Sequence, residues 1–140
     1  MAYTLKIGEQ APDFNLLGTD NVFHDLSSYS KYKLLIISFT CNHCPYVIGS
    51  DETTRKTVEK YNRESMKLIC INSNSKNTYE ADSFENMQIR MKENKFPWDY
   101  LHDESQEIAS NYGALKTPHF FVFDSNRLLI YTGRGIDNPR

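Results

Sequence analysis

The sequence has no long hydrophobic run, no dominant sign of charge and few cysteines, and each shortage narrows what the chain can be. No apolar stretch approaches the ~20 residues needed to span a bilayer. The opening segment, Met1-Ala2-Tyr3-Thr4-Leu5-Lys6-Ile7-Gly8, has no basic head followed by a long apolar segment, so no signal peptide is visible. Lysine and arginine number 16 against 18 acidic residues, an interspersed mixture with net charge −2. That balance gives no electrostatic reason to expect nucleic acid or an anionic membrane as a partner. Three cysteines without an export signal do not make a disulfide framework. They suggest a redox or metal pair plus one bystander, in a cytoplasmic protein. What is present favours a globular fold: 39% hydrophobic residues, 13% aromatics and 140 residues predict a single domain spanning 1–140, with a proper core.

Two of the cysteines stand three apart in Cys41-Asn42-His43-Cys44-Pro45, directly after the apolar run Leu34-Leu35-Ile36-Ile37-Ser38-Phe39. On the first turn of a helix such a pair shares one face, with Cβ atoms ~5–6 Å apart. That is close to bridging distance, so a reversible disulfide needs little backbone movement. The first cysteine would meet unsatisfied N–H groups and the positive end of the helix dipole, which favour the reactive thiolate. His43, when protonated, adds positive charge beside it. A lower thiol pKa raises the thiolate population but lowers its nucleophilicity, so His43 is expected to set redox poise more than speed. Cys70 lies within an apolar run, where a packing role is expected.

The coarse organisation is α/β. An irregular segment over 1–13 precedes a hairpin, Phe14–Leu17 with Val22–His24, and a short helical turn over Asp25–Lys31. A strand is expected at 33–40, then a helix from about Asn42 to Asn62 burying Val47, Ile48, Thr54, Val58 and Tyr61. A second strand, Met66–Asn72, follows, then a polar loop and a helix starting at the capping pair Asp82 and Glu85 and burying Phe84, Met87 and Met91. Trp98–Leu101 reads as a short strand. Asp103 with Gln106 should cap a short helix carrying Ile108, Ala109 and Tyr112, closed by Gly113. His119–Phe123 and Leu128–Thr132 form a last hairpin around Asp124–Arg127. Strands alternating with helices predict a mixed sheet, partly parallel, covered on both faces. His24 and His102 are expected at the surface, Tyr46 and Trp98 in the core or at its rim, and Asp51 to Lys60 on a solvated helix face.

Thr117-Pro118 precedes the strand that begins at His119, where proline's missing N–H costs least. Together with Ala11-Pro12-Asp13-Phe14, the Cys41–Val47 segment, Ile71-Asn72-Ser73-Asn74, Tyr112-Gly113-Ala114 and the run Thr117 to Asp124, it makes the chain resemble a thioredoxin-fold redoxin of the alkyl hydroperoxide reductase/thiol-specific antioxidant superfamily, in its peroxiredoxin-like subgroup. The segments run in family order over nearly the whole chain. The resemblance implies a thioredoxin-like α/β fold with an N-terminal hairpin extension. It also implies a thiol–disulfide oxidoreductase without an organic cofactor, because electrons pass through the dithiol. Cys41 would attack, Cys44 resolve and His43 tune, while Thr117 and the cis-proline Pro118 would dock an extended substrate. Partners would be protein or small-molecule disulfides and thiols.

Three departures from the pattern qualify this. The Pro-x-x-x-Thr/Ser-x-x-Cys motif of peroxiredoxins is absent: counting back from Cys44, position −3 is Cys41 and position −7 is Ile37. No arginine is placed to complete a peroxide-activating site, so thiol peroxidase activity is the alternative rather than the leading expectation. Thr40 stands where thioredoxins carry tryptophan. The chain also stops at Pro139-Arg140, soon after the last hairpin, where the family adds a C-terminal helix. A rival from another class is a copper or zinc binding protein using Cys41, Cys44 and His119, since soft thiolates suit both metals. Two cysteines and one histidine underfill a zinc site.

Overall fold

The near-continuous apolar runs at 34–40 and 66–72 are of the kind that strands need when both sheet faces are covered. The computed structural model describes residues 5–40, 56, 66–73, 83–95, 98–114 and 119–133. Among these, seven strands form one sheet: β1 (Asn15–Gly18), β2 (Phe23–Asp25), β3 (Leu34–Thr40), β4 (Met66–Asn72), β5 (Asp99–His102), β6 (His119–Phe123) and β7 (Leu129–Gly133). Their spatial order is β2-β1-β5-β4-β3-β6-β7. The central strands β3, β4 and β5 are parallel, whereas β1, β2, β6 and β7 join antiparallel at the two flanks. The sheet is therefore mixed, as the alternation of elements predicts.

Side chains alternate between the faces with period two. Leu35, Ile37 and Phe39 of β3, Ile69 and Ile71 of β4, Leu101 of β5, and Phe121 and Phe123 of β6 share one cluster with Ile108 and Tyr112 of helix α2 (Glu107–Tyr112). Tyr112 is the hub, with its ring 5.4 Å from Phe39 and 5.6 Å from Phe121, and its hydroxyl donates to the carbonyl of Pro12 at 2.6 Å. The opposite face buries Ile36, Leu68, Cys70, Tyr100 and Phe120 with Met87 of helix α1 (Phe84–Asn94). Burial on both faces explains why the strands read as near-continuous apolar runs rather than alternating ones.

The flanks are stapled by polar contacts. Asp25 and Ser28 form a reciprocal capping box at the 3-10 turn Leu26–Tyr29. Arg127, held at φ 61° in the β6–β7 turn, donates to the carbonyls of Tyr29 and Tyr32 at 2.7 and 2.8 Å, tying that turn to the 3-10 turn.

Two helix starts differ from expectation. Ser83 is the N-cap of α1, its hydroxyl accepting from Asn86 N at 3.1 Å, and the expected partner Asp82 lies outside the described residues. At α2 the cap position is taken by Gln106, in the left-handed region at φ 65° with no side-chain bond. Asp103 instead reaches across the intervening turn to the N–H groups of Ile108 and Ala109. Gly113 closes α2 at φ 67°, as its placement predicts. The expected helix from Asn42 to Asn62 lies outside the described residues apart from Lys56, which is helical and exposed.

Candidate active site

The carboxyl ends of the parallel strands come out at one sheet edge, where open α/β sheets carry their ligands. The register aligns Thr40 of β3 with Asn72 of β4, and Asn72 with His102 of β5, in a single row. On the other side of β3, Phe39 pairs with His119, the first residue of β6. Cys41 follows Thr40 in the chain, and Pro118 immediately precedes His119. The described strands thus deliver the two sequence-predicted segments from adjacent positions. Cys41, His43, Cys44, Thr117 and Pro118 themselves lie outside the described residues.

His119 is half-buried. Its ring stacks on Phe121 with centroids 4.3 Å apart, and Nε2 lies 2.9 Å from Thr132 Oγ1 on β7. Burial pushes its pKa below the ordinary histidine value, so the imidazole is neutral at pH 7. A metal bound through Nε2 would have to displace Thr132. Among the described residues no three His, Cys, Asp or Glu side chains converge as a metal site.

The edge also carries a polar network that sequence reasoning missed. Asn72 is completely buried, and its Nδ2 donates to the hydroxyl of Tyr100 at 3.2 Å. Its carbonyl accepts from the N–H of Asp103 at 2.9 Å. Asp103, 1% exposed, accepts from Ser73 Oγ at 2.7 Å, Ala109 N at 2.9 Å and Ile108 N at 3.3 Å. One carboxylate therefore fastens the ends of β4 and β5 to α2. A signal existed in the sequence, because the polar pair Asn72-Ser73 directly follows the apolar run Leu68–Ile71.

The remaining candidates sort by burial. Cys70 is a buried thiol on the α1 face, packed in the cluster of Met87, Trp98 and Tyr100, as its apolar setting predicts. Trp98 is in the same core. The expected surface histidines are both half-buried. His24 pairs with Asp20 at 3.0 Å and stacks on Tyr29, and His102 stacks on Phe84, because each ring turns onto a neighbouring aromatic instead of into water. A cavity of about 400 Å³ between the β1–β2 turn and α1, lined in part by Asp20, Gln88, Lys92 and Asp99, lies at the opposite sheet edge, beside the first residue of β5.

The mixed sheet, with its parallel centre, antiparallel flanks and a helix on each face, is that of a thioredoxin-like fold. The chain belongs to the Redoxin family, whose model matches residues 6–140. It is similar to the crystal structure of an uncharacterized conserved protein from Geobacillus kaustophilus, at 33% identity and TM-score 0.91, covering 99% of this chain and 74% of that one. A hypothetical protein from Sinorhizobium meliloti 1021 is 29% identical with TM-score 0.90, over 99% of this chain and 76% of that one. The thioredoxin domain of a thiol-disulfide oxidoreductase from Bacteroides vulgatus shares the fold at 16% identity and TM-score 0.78, over 94% and 91% of the two chains. No curated protein matches the chain.

Proposed function

We propose that this Redoxin-family chain is a thiol–disulfide oxidoreductase of the peroxiredoxin-like branch, working through Cys41 and Cys44. The observation that carries the reading is the pairing of Phe39 with His119. It brings the strand leading into Cys41-x-x-Cys44 and the strand following Thr117-Pro118 side by side at the carboxyl edge of the sheet. A redox pair and a segment that docks extended substrate need that adjacency. A neighbour in fold, the Bacteroides vulgatus protein, is a thiol-disulfide oxidoreductase by name, which agrees with the reading.

The Cys41 thiolate attacks one sulfur of a substrate disulfide, forming a mixed disulfide and releasing the other sulfur as a thiolate that takes up a proton. Cys44, deprotonated, then attacks the Cys41 sulfur. The Cys41–Cys44 disulfide forms and the second substrate thiol leaves. Two electrons have passed to the substrate, and an external dithiol must return them before another turnover. A positive charge on His43, next but one to Cys41 in the chain, favours the Cys41 thiolate, which stabilises the reduced pair and makes the disulfide more oxidising.

The test is equilibration of the purified protein with dithiol redox buffers, counting free thiols at each poise. The pair should oxidise reversibly, with a reduction potential above the ~−270 mV of thioredoxin. A potential at or below that value removes His43 as the tuner. Failure of Cys41 and Cys44 to oxidise at all defeats the proposal.

A further inference from the structure

The cavity of about 400 Å³ beside the first residue of β5 takes no part in the thiol chemistry, yet three elements build it. Its lining includes Asp20 of the β1–β2 turn, Gln88, Met91 and Lys92 of α1, and Asp99 and Tyr100 of β5. Two hydrogen bonds fix the turn against the other walls. Thr19 N donates to the carbonyl of Tyr100 at 2.9 Å, and Gln88 Nε2 donates to the carbonyl of Thr19 at 3.3 Å. Tyr100 is buried, and Met91 packs on the same α1-face core, so these two supply apolar wall. A space of this size, with apolar wall and a few charged groups, has the make-up of a small-molecule site.

The charged groups decide what such a site would take. Asp99 Oδ2 accepts from the Tyr29 hydroxyl at 2.9 Å, and Lys67 Nζ lies 3.7 Å from Oδ1. Asp20 accepts from Val22 N at 3.1 Å and pairs with His24 Nε2 at 3.0 Å. Both carboxylates are therefore oriented by neighbours. Each offers about four lone-pair sites, so acceptor capacity remains. Lys92 is exposed and makes no ion pair with a described residue, which leaves its three donors for a ligand. Two carboxylates face two ammonium groups, counting Lys67, so the surroundings balance and a ligand of single charge would upset them. We propose that this cavity binds a small zwitterion, a primary ammonium joined to a carboxylate through an apolar stem. The ammonium goes to Asp20 and Asp99, the stem lies against Met91 and Tyr100, and the carboxylate meets Lys92. A sphere of this volume is about 9 Å across. With C–C bonds of ~1.5 Å, a stem of five methylenes separates the two charges by ~7–8 Å and fits.

The test titrates the full chain with 6-aminohexanoate, hexylamine and hexanoate, following backbone amide shifts by nuclear magnetic resonance. 6-Aminohexanoate should give saturable shifts centred on Thr19, Gln88 and Tyr100. It should bind about five-fold more tightly than either ligand of single charge, the gain expected for one further ion pair at a partly exposed site. Lys92→Met keeps the stem of the side chain and removes its charge. It should bring 6-aminohexanoate down to the affinity of hexylamine while leaving hexylamine itself unchanged. Asp99→Asn should weaken both amines by about five-fold and leave hexanoate unaffected. Asp99 also holds Tyr29, so Asp20→Asn, at an exposed position, carries the same expectation if Asp99→Asn does not fold. Three results overturn the inference: no saturable shift with 6-aminohexanoate, shifts that map away from the cavity, or equal binding of 6-aminohexanoate and hexylamine by wild type. An affinity for 6-aminohexanoate that survives Lys92→Met unchanged overturns it as well.

Discussion

Removing the carboxylate that joins three elements at the functional edge should be among the more damaging single changes available in this domain. Asp103→Ala deletes an acceptor that is 1% exposed and holds Ser73 Oγ at 2.7 Å, Ala109 N at 2.9 Å and Ile108 N at 3.3 Å. Loss of a helix-capping side chain costs about 1 kcal/mol. Each buried donor left without its acceptor costs roughly 1 kcal/mol more at the low end. A total of about 4 kcal/mol follows, and with an unfolding entropy of ~2.1 cal/mol/K per residue the melting temperature should fall by about 14 °C. Asp103→Asn keeps the shape and one acceptor oxygen but loses charge assistance, and should fall about half as far. Circular dichroism melts, checked by urea unfolding at unchanged m-value, measure both. A drop of less than about 2 °C for Asp103→Ala would show that water replaces the carboxylate and that the edge is not held in this way.

Burial raises the pKa of Tyr29 and Tyr112 far above the usual phenol value, with the nearby carboxylates Asp99 and Asp13 adding to the respective shifts. A raised folded-state pKa means the stability is fully present below pH ~10 and is lost as pH rises further, by about 1.4 kcal/mol per unit for each such group. Phenolate absorbance should therefore lag at these two residues until the protein unfolds in alkali, and Tyr112→Phe should blunt the loss; free titration of every tyrosine in the native state would contradict this. Cys70→Ala should cost ~1 kcal/mol through lost packing and leave disulfide exchange intact, checked by melts and an exchange assay. With no recognisable activating threonine or arginine, oxidation of the reduced protein by hydrogen peroxide should be little faster than that of an ordinary thiolate in stopped-flow measurements, and a rate many orders faster would move peroxidase chemistry to first place.

Much of the framework was legible because it depends on local pattern. The strand Met66–Asn72 appears with the boundaries its apolar run predicts, and the 3-10 turn sits where Asp25 and Ser28 can cap one another. Gly113 ends α2 because only a residue tolerant of positive φ closes a helix cheaply. What escaped the sequence depends on distant partners. Asp103 looked like half of a capping box with Gln106, yet it binds N–H groups five and six residues on and a hydroxyl thirty residues back. His102 read as a surface residue because its burial comes from Phe84 on another element, and Asn72 had no assigned role because its hydroxyl partner is 28 residues away. The candidate pair Cys41 and Cys44 stands out in the sequence by its spacing and lies outside the described residues, whereas the adjacency of β3 and β6 is a property of the sheet that no local pattern shows.

Trapping the mixed disulfide tests the central claim most directly. Cys44→Ser should still attack a disulfide substrate but be unable to resolve the adduct, so mass spectrometry should find one substrate sulfur bonded to Cys41. Cys41→Ser should form no such adduct, since the initiating thiolate is gone. An adduct that maps to Cys70, or a Cys44→Ser protein that turns over as fast as wild type, would contradict the assignment of nucleophile and resolving cysteine.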